Sequence, residues 1–70
     1  RYTPDGKQFV TSGDDDRIRW WDAATGRRLG QVRHLAEPVL LSATATEATV
    51  LLYDGTLWQA RPDGSARKLL

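Results

Sequence analysis

The 70-residue sequence has no cysteine and no methionine, and its one histidine is His34. Neither a disulfide framework nor a Cys/His zinc cluster can be built from that set, although small domains commonly depend on one or the other. Strictly apolar runs reach only three residues, as at Val39 to Leu41 and Val50 to Leu52. That is far short of the roughly 20 residues a membrane-spanning helix needs. Charge of one sign is also missing: ten Lys and Arg face nine Asp and Glu, for a net charge of +1, with the signs interspersed. No basic face suited to nucleic acid results. No signal or transit pattern opens the chain, which begins at Arg1 and fits a piece of a longer protein. The absence of cysteine leans toward a reducing compartment, so a cytoplasmic location is the expectation.

Turn chemistry, by contrast, is abundant. It recurs as TPDG at 3–6, SGDDD at 12–16, AATG at 23–26, YDGT at 53–56 and RPDGS at 61–65. Pro followed by Asp-Gly suits a type I turn, because proline presets φ at the second position. Asp54-Gly55 suits a two-residue type I′ hairpin, which requires positive φ at both central residues. Between the turns lie runs of five to eight residues, rich in Val, Thr, Leu and aromatics and too short for typical helices. They predict short antiparallel strands at about 7–12, 17–22, 27–33, 37–42, 47–53, 56–60 and 66–70.

PVLLSA at 38–43 and ATVLLYD at 48–54 are apolar on both alternating faces, which predicts inner strands covered on two sides. RRLGQVR at 27–33 carries arginine along its length, as an outer strand does when charge blunts unwanted pairing. There is also an internal echo. Asp15 and Asp54 are 39 apart, whereas Trp20 and Trp58, and Gly26 and Gly64, are 38 apart, so the match needs a one-residue slip in a turn. Four strands in a period near 40 predict a propeller array. The chain is therefore expected to be all-β, with two antiparallel four-stranded blades, residues 1–34 and 35–70, the first lacking its innermost strand.

TPDGKQFVTSGDDDRIRWWDAATGRRLGQV at 3–32 resembles a WD-repeat blade: a Pro-Asp-Gly turn, a strand ending in small hydroxylated residues, an Asp turn, then a strand closing in Trp21-Asp22. The resemblance implies a hydrogen-bonded network with Thr11 as the strand hydroxyl, Asp15 as the turn aspartate and Trp21 as the indole, the loop histidine lying upstream of residue 1. Trp20, pointing the other way, is expected to pack on a neighbouring blade, so two adjacent tryptophans serve two faces. In the second unit His34 sits near the family's Gly-His position, with Arg33 in place of glycine. Val50 replaces the hydroxyl and Ala60-Arg61 replaces Trp-Asp, while Asp54 and Thr56 keep the turn. That blade is expected to be degenerate and held mainly by apolar packing. DAATGRRL at 22–29 also resembles repeats of quinone-cofactor dehydrogenase propellers.

Three acidic residues in a row, Asp14, Asp15 and Asp16, raise the question of calcium, but they lack the alternating ligand spacing of a calcium loop. No metal or cofactor is expected. His34 has no nucleophile or acid near it in sequence to make it a catalytic base. Arg27, Arg28, Arg33, Arg67 and Lys68 fall on outer strands, where charge keeps edges soluble, and Tyr53 and Trp58 read as packing before they read as a stacking platform. The resemblance implies a non-catalytic scaffold for other proteins. Partners would dock on the face with the Asp turn and the loop between blades, nominating Asp14, Asp16, His34, Leu35, Glu37 and Tyr53. The alternative is a small lectin in which two-blade chains close one propeller and bind sugars; a piece of an enzyme propeller ranks third. Because such arrays need about three or more repeats, further blades are expected in cis or from a homo-oligomer.

Overall fold

The computed structural model describes residues 1–13 and 15–70. Seven strands follow one another: β1 Gln8–Ser12, β2 Ile18–Asp22, β3 Arg28–Val32, β4 Val39–Ala43, β5 Ala48–Leu51, β6 Leu57–Ala60 and β7 Ala66–Lys68. They form two antiparallel meanders, a three-stranded sheet in the order β1-β2-β3 and a four-stranded sheet in the order β4-β5-β6-β7. No helix occurs among the described residues. The fold is all-β and compatible with two neighbouring propeller-like sheets.

Aspartate side chains hold four of the turns. Asp5, Asp22, Asp54 and Asp63 each accept the backbone N–H two residues on, at 3.0, 2.8, 2.9 and 2.9 Å, an Asx geometry that substitutes for a backbone turn. The Asp54-Gly55 turn differs from the type I′ expectation. Leu52 N–H donates to the Thr56 carbonyl at 2.9 Å around a three-residue loop, and of Asp54 and Gly55 only Gly55 is left-handed, at φ 85°. Asp54 keeps a negative φ and spends its carboxylate on Thr56.

The two sheets are related by a shift of 39 residues. Gly13 N–H donates to the Arg17 carbonyl and Asp16 N–H to that of Gly13; Leu52 to Thr56 and Gly55 to Leu52 repeat both bonds, since 52 − 13, 55 − 16 and 56 − 17 all equal 39. The pairs Val10↔Trp20 and Thr49↔Gln59 obey the same shift. Trp58 therefore corresponds to Arg19 and not to Trp20. The slip falls in the next turn, where Gly26 closes on Asp22 but Gly64 closes on Arg61.

The innermost position of the three-stranded sheet is held by a short segment. Tyr2 bridges to Phe9, the Arg1 ammonium donates to the Val10 carbonyl at 2.8 Å, and Val10 N–H donates back to the Arg1 carbonyl at 2.7 Å. The Arg1 guanidinium also reaches the Leu41 carbonyl at the bulge in β4, joining the inner edges of the two sheets.

Between the sheets lies one core of Val10, Ile18, Trp20, Val32, Leu35, Ala43, Ala48, Val50, Leu52 and Ala60, with Leu40 and Trp58 against it. The sheets approach closely where Gly30 of β3 faces Pro62 in the β6–β7 turn: a Cβ on Gly30 would stand 2.2 Å from the Pro62 carbonyl oxygen. β4 and β5 depart from the expectation of two covered faces. Ala48 and Val50 are buried, but Val39 is 55% and Leu41 44% exposed, because only one sheet flanks them in this chain. The accessible surface is 4504 Å² for 7.8 kDa, against about 11,300 Å² for an unfolded chain of that mass, so roughly 60% is buried. Stability at that fraction rests on few contacts.

Candidate functional site

The adjacent tryptophans of β2 point to opposite faces, as the pleat of a strand requires. Trp20 is fully buried between the sheets, and its indole N–H donates to the Thr44 carbonyl in the β4–β5 turn at 3.0 Å. Trp21 faces away from the four-stranded sheet, half-buried, and donates to Thr11 Oγ1 at 2.9 Å. Its ring stacks on Phe9, centroids 6.2 Å apart, and Phe9 leans on Tyr2 at 5.8 Å.

Two residues of the WD-repeat pattern hold other partners. The Asp15 carboxylate pairs with Arg19 four residues on, and that bond holds its carboxyl below the ordinary range. Asp22 caps the β2–β3 turn through the N–H groups of Ala24 and Thr25. The physical reason is proximity: Arg19 neighbours Thr11 across the ladder and presents a full charge to Asp15, against which a neutral hydroxyl competes poorly.

The four-stranded sheet has a polar chain that sequence reasoning did not assemble. Asp54 Oδ1 accepts both the backbone N–H of Thr56, at 2.9 Å, and its hydroxyl, at 2.5 Å; Thr56 Oγ1 in turn accepts the Trp58 indole N–H at 2.8 Å. The two Thr56 bonds, side chain before backbone, lower the Asp54 pKa from its usual value. Thr56 and Trp58 are two residues apart and so share a face, and that spacing was the available signal. Trp58 is therefore satisfied within its own sheet, and the sheet has more than apolar packing to hold it.

Three segments converge at one end of the sheets: the 13–17 turn, the 33–38 linker and the 52–56 turn. Leu35 N–H donates to the Asp16 carbonyl at 3.1 Å, Glu37 N–H to Asp16 Oδ1 at 3.0 Å, and Tyr53 N–H to the Ala36 carbonyl at 3.3 Å. The chain's left-handed non-glycine residues among those described all lie here: Asp16 at φ 62°, His34 at 65° and Glu37 at 44°. Non-glycine residues rarely take that conformation unless their surroundings impose it.

Of the residues nominated for partner contact, His34 and Glu37 are exposed and Tyr53 is 81% exposed. A cleft lined by Ser12, Gly13, Glu37 and Pro38 opens beside them. Asp16 is half-buried and committed to the linker. Leu35 is a correction: at 3% exposed it belongs to the core, because the linker folds back to fill the gap between sheets. Asp14 lies outside the described residues. Among the described residues no group of three or more His, Cys, Asp or Glu side chains gathers into a metal-ligand set. No protein-family model, no curated protein and no solved structure matches this chain.

Proposed function

We propose that the chain is a pair of WD-repeat-like propeller blades with a non-catalytic role, binding a segment of another protein at the end formed by its two turns and the linker. The carrying observation is the strained cluster of Asp16, His34 and Glu37. Left-handed non-glycine residues cost on the order of 1–3 kcal/mol each and persist where the surroundings over-determine them, commonly at binding sites. Here they hold the linker that presents His34 and Glu37 exposed at the same end as Tyr53, beside the Ser12 to Pro38 cleft. An exposed aromatic and an exposed carboxylate at one end of the sheets suit a peptide with an apolar anchor and a basic side chain.

The blade reading is supported by the 39-residue recurrence of turn hydrogen bonds and by the indole-to-hydroxyl bond of Trp21 and Thr11. A sugar-binding reading has less to stand on, since Trp58 is half-buried with its N–H tied to Thr56.

Selection of random peptides on the purified chain tests this. Enriched peptides should bind, by fluorescence anisotropy, about tenfold or more weakly to Tyr53→Ala and Glu37→Ala while both variants melt like the parent. Peptides indifferent to Tyr53, Glu37 and His34, or binding on a glycan array in their place, would sink the reading.

A further inference from the structure

The two outermost sheet faces carry complementary side chains. Outward from the three-stranded sheet point Tyr2, Phe9, Trp21, Thr11 and Arg19; outward from the four-stranded sheet point Val39, Leu51, Leu57, Thr49 and Gln59, the positions that alternate with the buried ones. Applying the 39-residue shift sorts these faces. The inner face of the four-stranded sheet, Ala48, Val50, Trp58 and Ala60, corresponds to the outer face of the three-stranded one, Phe9, Thr11, Arg19 and Trp21. The inner face of the three-stranded sheet, Val10, Ile18 and Trp20, corresponds to Thr49, Leu57 and Gln59. Like positions therefore point the same way around an axis, which is the relation of successive members of a rotary stack.

Side-chain size makes the match specific. In the interface inside the chain, the three-stranded sheet supplies the fully buried ring of Trp20, and the four-stranded sheet supplies the small residues Ala43, Ala48 and Ala60 beside Val50 and the partly buried Trp58. On the outer faces large and small sit at swapped positions: Phe9 and Trp21 stand where the other sheet has Ala48 and Ala60, and Thr49 and Gln59 stand where the first has Val10 and Trp20. One face again offers rings, Phe9 and Trp21, and the other offers the smaller Thr49 and Gln59 among Val39, Leu51 and Leu57. We propose that copies of this chain assemble head to tail, the outer face of the four-stranded sheet of one copy packing on the outer face of the three-stranded sheet of the next, until a ring closes. This rests on the blade reading above.

The contact is heterologous, and such contacts close into rings when the rotation per copy allows. Each face is small. Four strands about 4.8 Å apart and five residues of about 3.4 Å give a footprint near 300 Å², against about 800 Å² per partner in a standard stable interface. An open pair is therefore weak, and closure, which uses both faces of every copy at once, is what holds. For copies of this 70-residue stretch, with two sheets apiece, and roughly four to eight blades in known propellers, a ring contains two to four copies.

Sedimentation velocity and native mass spectrometry of the intact chain should give one discrete mass of two to four times 7.8 kDa. Tyr2→Glu and Val39→Glu, at sites 66% and 55% exposed, should each return it to monomer with unchanged circular dichroism. The absence of native cysteine permits a second test that does not depend on breaking the ring. A copy carrying only Tyr2→Cys and a copy carrying only Val39→Cys should each fail to cross-link to themselves with a bis-maleimide, and their mixture should give cross-linked pairs. A monomer at every concentration, an irregular aggregate, or self-cross-linking of either single variant overturns the proposal. Peptide binding through Tyr53 and Glu37 reads a different surface, so loss of the ring with peptide binding intact leaves the platform standing.

Discussion

Gly30→Ala tests how the two sheets meet. The added methyl would lie 2.2 Å from the Pro62 carbonyl oxygen, 2.7 Å from its Cβ and 2.9 Å from its carbonyl carbon. Ordinary contact begins near 3.4 Å, so the Arg61 to Ser65 turn must retreat by about 1.2 Å. The obstacle is backbone, which cannot swing aside as a side chain can. Overpacking costs about 1–3 kcal/mol, and a backbone obstacle belongs in the upper half of that range. A 70-residue domain at 0.05–0.15 kcal/mol per residue holds roughly 3.5–10 kcal/mol in all.

A loss of about 2–3 kcal/mol corresponds to a drop of roughly 10–20 °C in Tm at this chain length. Urea and thermal unfolding followed by tryptophan fluorescence report it directly, because Gly30 stands opposite Trp20 in the ladder and a retreating turn wets that indole. Gly26→Ala is the comparison. Its Cβ would meet nothing within 4 Å but would take φ 74°, a penalty of about 1–2 kcal/mol from conformation alone with no change in Trp20 emission. A Gly30→Ala protein within about 0.5 kcal/mol of the parent, its emission unshifted, refutes the close approach of β3 and Pro62.

Trp20→Phe removes the N–H that reaches Thr44 and leaves a void between the sheets. Unfolding in urea should show a loss of about 2–4 kcal/mol, and a neutral result would mean the sheets do not lock there. Thr56→Val disconnects Asp54 from Trp58 at about 1–2 kcal/mol and should raise the Asp54 pKa toward 3.8 by NMR titration; an unmoved pKa would show that Thr56 does not set it. Hydrogen bonds or ion pairs hold Asp5, Asp15, Asp54 and Asp63 below the usual carboxylate value of 3.8, with Thr3, Arg19, Thr56 and Ser65 the leading partners. The folded state then binds fewer protons than the unfolded one in that range. Stability is full above about pH 5 and falls as pH drops through the usual value and below it. The urea midpoint should decline between pH 5 and pH 2.5, less steeply in Asp54→Asn, and a midpoint that rises on acidification contradicts the assignment.

What was legible in the sequence is what local chemistry decides. Pro-Asp-Gly and Asp-Gly place turns because the carboxylate and the missing Cβ act within three residues, and the opposed directions of Trp20 and Trp21 follow from the pleat. A one-residue slip was readable but not its place: pairing Trp20 with Trp58 puts it before the tryptophan strand, whereas it falls in the turn after it. Less legible were choices that depend on what arrives from elsewhere. Asp16 and not Asp15 ties the 13–17 turn to the linker, because the chain crosses into left-handed φ at Asp16. Leu35 looked like an exposed loop residue until the linker folded it between the sheets. β4 and β5 read as buried on both sides because pattern records what a strand prefers, whereas burial records what stands beside it.

The divergence of the two sheets has a physical consequence of its own. Were both sheets copies of the first, the Val10 and Trp20 face of one would meet the Phe9 and Trp21 face of the next, ring against ring, in a space where Ala48 and Ala60 now make room for one indole. Protein interiors are packed near crystal density, so that stack would be forced apart. Were both copies of the second, the Thr49, Leu57 and Gln59 face would meet the Ala48, Val50, Trp58 and Ala60 face without the Trp20 indole that the present core holds, and would lose its contacts. If the outer faces stack as proposed, alternation of the two sheets sets the larger rings of one face against the smaller side chains of the next at every interface.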